Sequence, residues 1–115
     1  MSRRDAALFL SDMQTAIQRI AEYVAPHDLA SFAASALVQD AVIRNLEILG
    51  EAARNIPDDL REEHPEIPWR RMIGLRNIVA HQYFGIDETV IWKIATEDVP
   101  SVEGGIRTTL ESILR

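Results

Sequence analysis

The chain has 115 residues, of which 47% are hydrophobic and 26% charged, with a formal net charge of −6 and no cysteine. That length suits a single domain over residues 1–115, and the composition excludes a disordered chain. The missing thiols exclude a disulfide framework, thiol catalysis and cysteine-ligated zinc or iron–sulfur sites, and with neither a signal-peptide core nor the ~18 uncharged apolar residues of a membrane span, a cytoplasmic protein is expected.

Helical signals run through the whole chain. Phe9, Met13, Ile17, Ile20 and Val24 recur at helical spacing, and Pro26 ends that first helix. Asp28 or Ser31 is placed to cap a second helix that runs through Ala-rich sequence to about Asn55. Asp58 to His64 reads as a short polar turn. Pro68 suits the first turn of a helix carrying Trp69 to about Phe84, with Gly85 as its stop. Asp87 caps a segment with Val90, Ile91, Ile94 and Ala95. Pro100 or Ser101 starts a last helix through Leu114, weakened by Gly104 and Gly105. No run alternates with the period of a strand. The expected fold is all-α, an antiparallel bundle of four to five helices with short connections.

The long second helix has two faces of opposite character. At about 100° per residue, Asp40, Arg44, Glu47 and Glu51 form one charged stripe. Leu37, Ala41, Val42, Leu46, Ile48, Leu49, Ala52 and Ala53 cover most of the remaining circumference. So wide an apolar arc implies cover on more than one side, either within its own bundle or from a second subunit. Gly50 fits both, since a missing side chain lets another helix approach closely.

A net charge of −6 means that nucleic-acid binding needs a local basic patch. One stretch provides it. Trp69 to His81 reads Trp-Arg-Arg-Met-Ile-Gly-Leu-Arg-Asn-Ile-Val-Ala-His, with three arginines and no acid. Arg76 offers a permanent cation to a phosphate that gains charge in a transition state. Histidine as a residue type is the side chain suited to taking or giving a proton near neutral pH, which makes His81 the candidate for proton transfer. Together they suit attack of a ribose 2′-hydroxyl on its neighbouring phosphate, which requires RNA. Asn77 can hold a phosphate oxygen or orient His81. On an ideal helix Arg76 and Tyr83 nearly eclipse, while His81 lies about 140° from Arg76. Convergence of Arg76 and His81 thus needs a helix that ends or distorts before His81, or two copies that pool their side chains. Arg70 and Arg71 are candidates for positioning phosphate, with a salt bridge to Glu63 or Glu66 as the alternative. His27 and His64 flank prolines and read as exposed loop residues. The sequence has no Glu-x-x-His pair, H-E-x-x-H, G-x-S-x-G or phosphate-binding glycine loop, so no metal site or cofactor is expected. The bland alternative for the whole segment is a capped helix end with a stacked arginine and a hydrogen-bonded histidine.

Arg76-Asn77-Ile78-Val79-Ala80-His81-Gln82-Tyr83 resembles the R-x4-H-x-Y signature of the HepT-like proteins, within the wider HEPN superfamily. Ala41 to Ala52 is similar to that family's second helix. His64-Pro65-Glu66-Ile67-Pro68-Trp69 is similar to its approach to the motif, and Phe84-Gly85-Ile86-Asp87 with Trp92 to its exit. The resemblance extends over roughly residues 5–114.

The resemblance implies an all-α bundle that forms a homodimer or larger homo-oligomer through the second helix and the motif helix. It implies a metal-independent endoribonuclease, the toxin of a bacterial toxin–antitoxin pair, with Arg76 and His81 catalytic and RNA as substrate. Its antitoxin is expected to be a minimal nucleotidyltransferase of the MntA type that transfers AMP from ATP to Tyr83. The competing class is a non-catalytic helical subunit that binds nucleotide or partner beside a nucleotidyltransferase.

Overall fold

The computed structural model describes residues 3–80 and 87–115, and these form helices and short connections with no strand among them. The long helices are α1 (Arg3–Val24), α3 (Ala36–Arg54), α5 (Trp69–Ala80) and α7 (Val99–Leu114). Three short ones, α2 (Leu29–Ala33), α4 (Asp58–Glu63) and α6 (Glu88–Lys93), lie between them. A π-helical segment, Ile94–Asp98, joins α6 to α7.

Helix α3 packs against α1 and α5, and α1 also packs against α7. The core follows the helical spacing of the sequence. Leu10, Met13, Ile17 and Ile20 of α1 meet Val42, Leu46, Leu49 and Ala53 of α3, Met72, Leu75 and Val79 of α5, and Val102 and Ile106 of α7 in one cluster. Each fully buried large aliphatic contributes about 1.5–3 kcal/mol relative to exposure, so this cluster is the main force holding the bundle.

Three elements differ from the sequence reading. The expected second helix is two helices, α2 and α3. Ser35 breaks it: its backbone is extended, and its hydroxyl caps α3 by accepting from the Val38 N–H. The Gln39 side-chain amide donates to the carbonyls of Phe32 and Ala33 and so satisfies the free end of α2. Asp28 caps α2 in a reciprocal box with Ser31, so both candidate residues take part. Residues 58–63, read as a polar turn, form α4, with Asp58 and Asp59 in its first turn, where the helix dipole favours acids. Finally, the last helix does not begin afresh at Pro100. The chain stays helical from Glu88, and the widened π turn falls just before the proline. Pro100 has no N–H to give the carbonyl four residues back, and the wider turn takes up that mismatch.

Two aromatic residues brace the connections. The Trp69 indole N–H donates to the His64 carbonyl at 3.0 Å, locking the approach to α5. Trp92 packs on Phe32 with ring centroids 5.2 Å apart, tying α6 to α2. Both histidines expected in exposed loops are instead half-buried. His27 Nδ1 lies 3.0 Å from Ser31 Oγ, and His64 Nδ1 lies 3.5 Å from Glu66. No described helix is long and apolar enough to cross a membrane.

Candidate functional site

Helix α5 carries the basic segment, and its packing on α3 sets where each side chain opens. Gly50 makes the closest approach. A Cβ on it would lie 2.9 Å from the Met72 carbonyl oxygen and 3.6 Å from the Arg76 nitrogen. The glycine is therefore needed inside one chain. Most of the apolar arc of α3 is likewise covered internally: Val42, Leu46, Leu49, Ala52 and Ala53 are buried in this bundle, while Ala41 and Ile48 are half-buried. Leu37, at 81% exposure, is the member of that arc left open to solvent.

The residue after Gly50 is Glu51, at the end of the charged stripe. Its Oε2 accepts from Arg76 Nη1 at 3.1 Å. The stripe thus does not simply face solvent: it meets the basic segment across the α3–α5 contact. Arg44 and Glu47 lie beside it, 3.9 Å apart. A polar groove of about 380 Å³ runs here, lined by Asp12 of α1, Arg44, Glu47 and Glu51 of α3, Asn55, and Arg76 of α5. The Arg76 side chain remains 60% exposed.

The other arginines of α5 point elsewhere. Arg71 lines a second, more apolar cleft of about 450 Å³ between α5, α6 and α7, with Gly74, Ile78, Val90 and Lys93. Its partner is Asp98 at 3.5 Å, not Glu63 or Glu66. Arg70 is exposed and has no ion pair among the described residues. The structure therefore separates Arg71 from Arg76, as their five-residue spacing, about 140° around the helix, requires. Asn77 is exposed, next to Arg76 on α5. His81 and Tyr83 lie outside the described residues, as does the expected helix stop at Gly85. The contact that sequence reasoning missed is Arg76–Glu51. Both residues stood out, one in the stripe and one in the basic segment, but no local pattern links positions 25 apart.

Comparison with known proteins places this chain in a family. The profile described as "Ribonuclease HepT-like" matches residues 13–108, which include α3, α5 and the whole motif. The chain belongs to the HepT-like ribonuclease family. A Methanocaldococcus jannaschii protein named "putative RNase" is 46% identical over 103 residues, 90% of this chain and 94% of that one. A Thermococcus cleftensis protein named "probable ribonuclease HepT" is 46% identical over 96 residues, 84% and 87% of the two chains. A second M. jannaschii "putative RNase" is 36% identical over 103 residues, covering 90% and 89%. No solved structure matches the chain. A HepT-like ribonuclease acts on RNA, and the polar groove carries two exposed arginines, Arg44 and Arg76.

Proposed function

We propose that this HepT-like chain is a metal-independent endoribonuclease and the toxin of a toxin–antitoxin pair, with Arg76 and His81 as its catalytic residues. The observation that carries this reading is Arg76 itself: an arginine within the region matched to the family, its side chain largely exposed at a polar groove and, among the described residues, paired with one carboxylate.

The chemistry is a transesterification. The ribose 2′-oxygen forms a bond to phosphorus and the bond to the 5′-oxygen of the next nucleotide breaks. His81 takes the proton from the 2′-hydroxyl or returns one to the leaving 5′-oxygen. Arg76 stabilises the extra negative charge on the phosphorane, a role for which a fixed guanidinium fork is suited. The products are a 2′,3′-cyclic phosphate and a free 5′-hydroxyl. The permanent charge of arginine supplies what a Lewis acid would otherwise provide. Asn77 stands beside Arg76 as a candidate to hold a phosphate oxygen. A homodimer that brings two copies of α5 together supplies a second histidine, so that one can act as base and the other as acid.

Tyr83 is the proposed site of control. AMP added to its phenol by a cognate MntA-type nucleotidyltransferase places a phosphate and a purine two residues from His81. That phosphate competes with substrate for Arg76, and the bulk of the nucleotide excludes RNA.

Growth on induced expression tests the toxin reading. The wild-type chain should arrest growth, His81→Ala should not, and co-expression of the nucleotidyltransferase should relieve the arrest. Equal growth with wild type and His81→Ala favours the non-catalytic subunit instead.

A further inference from the structure

Arg76 is half of an ion pair that crosses between two helices. Its Nη1 donates to Glu51 Oε2 at 3.1 Å, and among the described residues this is the one acceptor its guanidinium meets. Among the described residues no acceptor meets the other donors of the fork, on Nη2 and Nε. The pair is built into the packing. Gly50 lets α3 approach the Met72–Arg76 turn of α5 to a distance that a Cβ would not allow, and this brings the next residue, Glu51, beside Arg76. The neighbouring carboxylate of the stripe, Glu47, is turned to Arg44 on its own helix at 3.9 Å. Glu51 is therefore the stripe residue that reaches α5.

We propose that Glu51 is a positioning residue for Arg76: it holds the guanidinium by one edge and presents the other edge to a substrate phosphodiester. The proposal rests on the reading of Arg76 as the cation that binds the scissile phosphate. An arginine side chain alone samples many rotamers, and ordering it in advance removes that cost from the transition state. A latch that blocks the site would engage both edges of the fork. Among the described residues Glu51 engages one edge alone, and the groove of about 380 Å³ alongside it has space for a phosphodiester. Glu51 does not touch the reacting atoms. Its effect runs through Arg76 and is seen in kcat more than in KM, because the orientation matters most when charge develops on the phosphate.

The test is steady-state cleavage of a single-stranded RNA by the full chain, together with nitrogen NMR of the Arg76 guanidinium. Glu51→Ala should lower kcat by about 10- to 100-fold with little change in KM, the scale of a displaced catalytic group. Glu51→Gln keeps an amide oxygen that can accept from Nη1, and should recover most of that loss. In an Arg76→Ala background, Glu51→Ala should have no further effect. Rotation of the guanidinium should be slow in the wild type and quicken in Glu51→Ala. A Glu51→Ala variant at or above wild-type kcat shows a latch and overturns the proposal. So does a Glu51→Ala change that still costs its full factor when Arg76 is absent. Should Arg76→Ala cleave like the wild type, or the wild type not cleave at all, the ribonuclease reading of Arg76 fails. The NMR then decides the positioning role alone, and equal guanidinium rotation with and without Glu51 overturns it.

Discussion

Gly50 of α3 and Met72 of α5 touch backbone to backbone: a Cβ on Gly50 would stand 2.9 Å from the Met72 carbonyl oxygen. A carbonyl inside a helix cannot swing aside as the tip of a side chain can. Gly50→Ala must therefore push α3 and α5 apart, at a cost of about 1–3 kcal/mol for overpacking. The better helix propensity of alanine returns at most about 1 kcal/mol. The expected outcome is a net loss of stability, read as a lower urea midpoint, with the Arg76–Glu51 contact loosened as well. An unchanged or raised midpoint would show that the two helices are not held at this distance.

The glycines of α7 behave differently from one another. A Cβ on Gly104 meets nothing within 4 Å, whereas one on Gly105 stands 3.0 Å from Ile67 Cγ1. Gly104→Ala should raise stability by about 0.5–1 kcal/mol through helix propensity alone. Gly105→Ala should gain less, since Ile67 must yield. Thermal midpoints of the two variants, compared with the wild type, measure the difference.

The helix caps make stability depend on acid. Asp28 is held below its ordinary value of 3.8, first by the backbone N–H of Ser31 and then by its hydroxyl. Asp87 is held below 3.8 by the hydroxyl and then the N–H of Thr89. A carboxyl whose folded value is depressed stabilises the fold above its unfolded value and loses that contribution as the pH falls through the folded one. The gap in thermal midpoint between the wild type and an Asp28→Ala/Asp87→Ala variant should therefore be full at pH 7. It should narrow as the pH falls below about 4, where the caps protonate. A gap that is the same at both ends of that range would show that the caps act without their charge.

Much of this architecture was legible because helical spacing repeats so plainly. Met13, Ile17 and Ile20 are core residues at the positions their periodicity gave, and the Asp28 and Asp87 caps were visible from residue type. The break at Ser35 was harder to see, because a serine inside an Ala-rich run can cap a new helix or simply ride on a long one. What decides it is the Gln39 amide closing the end of α2, a contact seven residues away. The π turn before Pro100 left no signal beyond the proline itself. In the site, Arg76 and Glu51 were each prominent, but their pairing depends on how closely α3 and α5 pack. Gly50 sets that distance, and in sequence it fitted a contact within the chain as well as one between two chains. Arg71 looked like a companion to Arg76 by composition, yet it turns to Asp98 on the other side of α5.

Tyr83 should carry the regulatory modification. Incubation of the purified chain with its cognate nucleotidyltransferase and ATP should add one or more AMP units to the wild type and none to Tyr83→Phe, as read by intact mass. RNA cleavage should fall as the adduct forms, and Tyr83→Phe should escape that silencing. An unmodified wild type, or the same adduct on Tyr83→Phe, would place regulation elsewhere.

The proposed chemistry has Arg76 and His81 acting on RNA without a metal. Its most direct test is cleavage of a single-stranded RNA in excess chelator, with the ends of the products identified. The wild type should cleave and leave 2′,3′-cyclic phosphate. Arg76→Ala and His81→Ala should each lose on the order of 10²–10³ in rate, the scale of a missing transition-state donor, while keeping the wild-type helical spectrum. Cleavage that stops in chelator, leaves a 3′-hydroxyl, or continues at full rate in His81→Ala would contradict it.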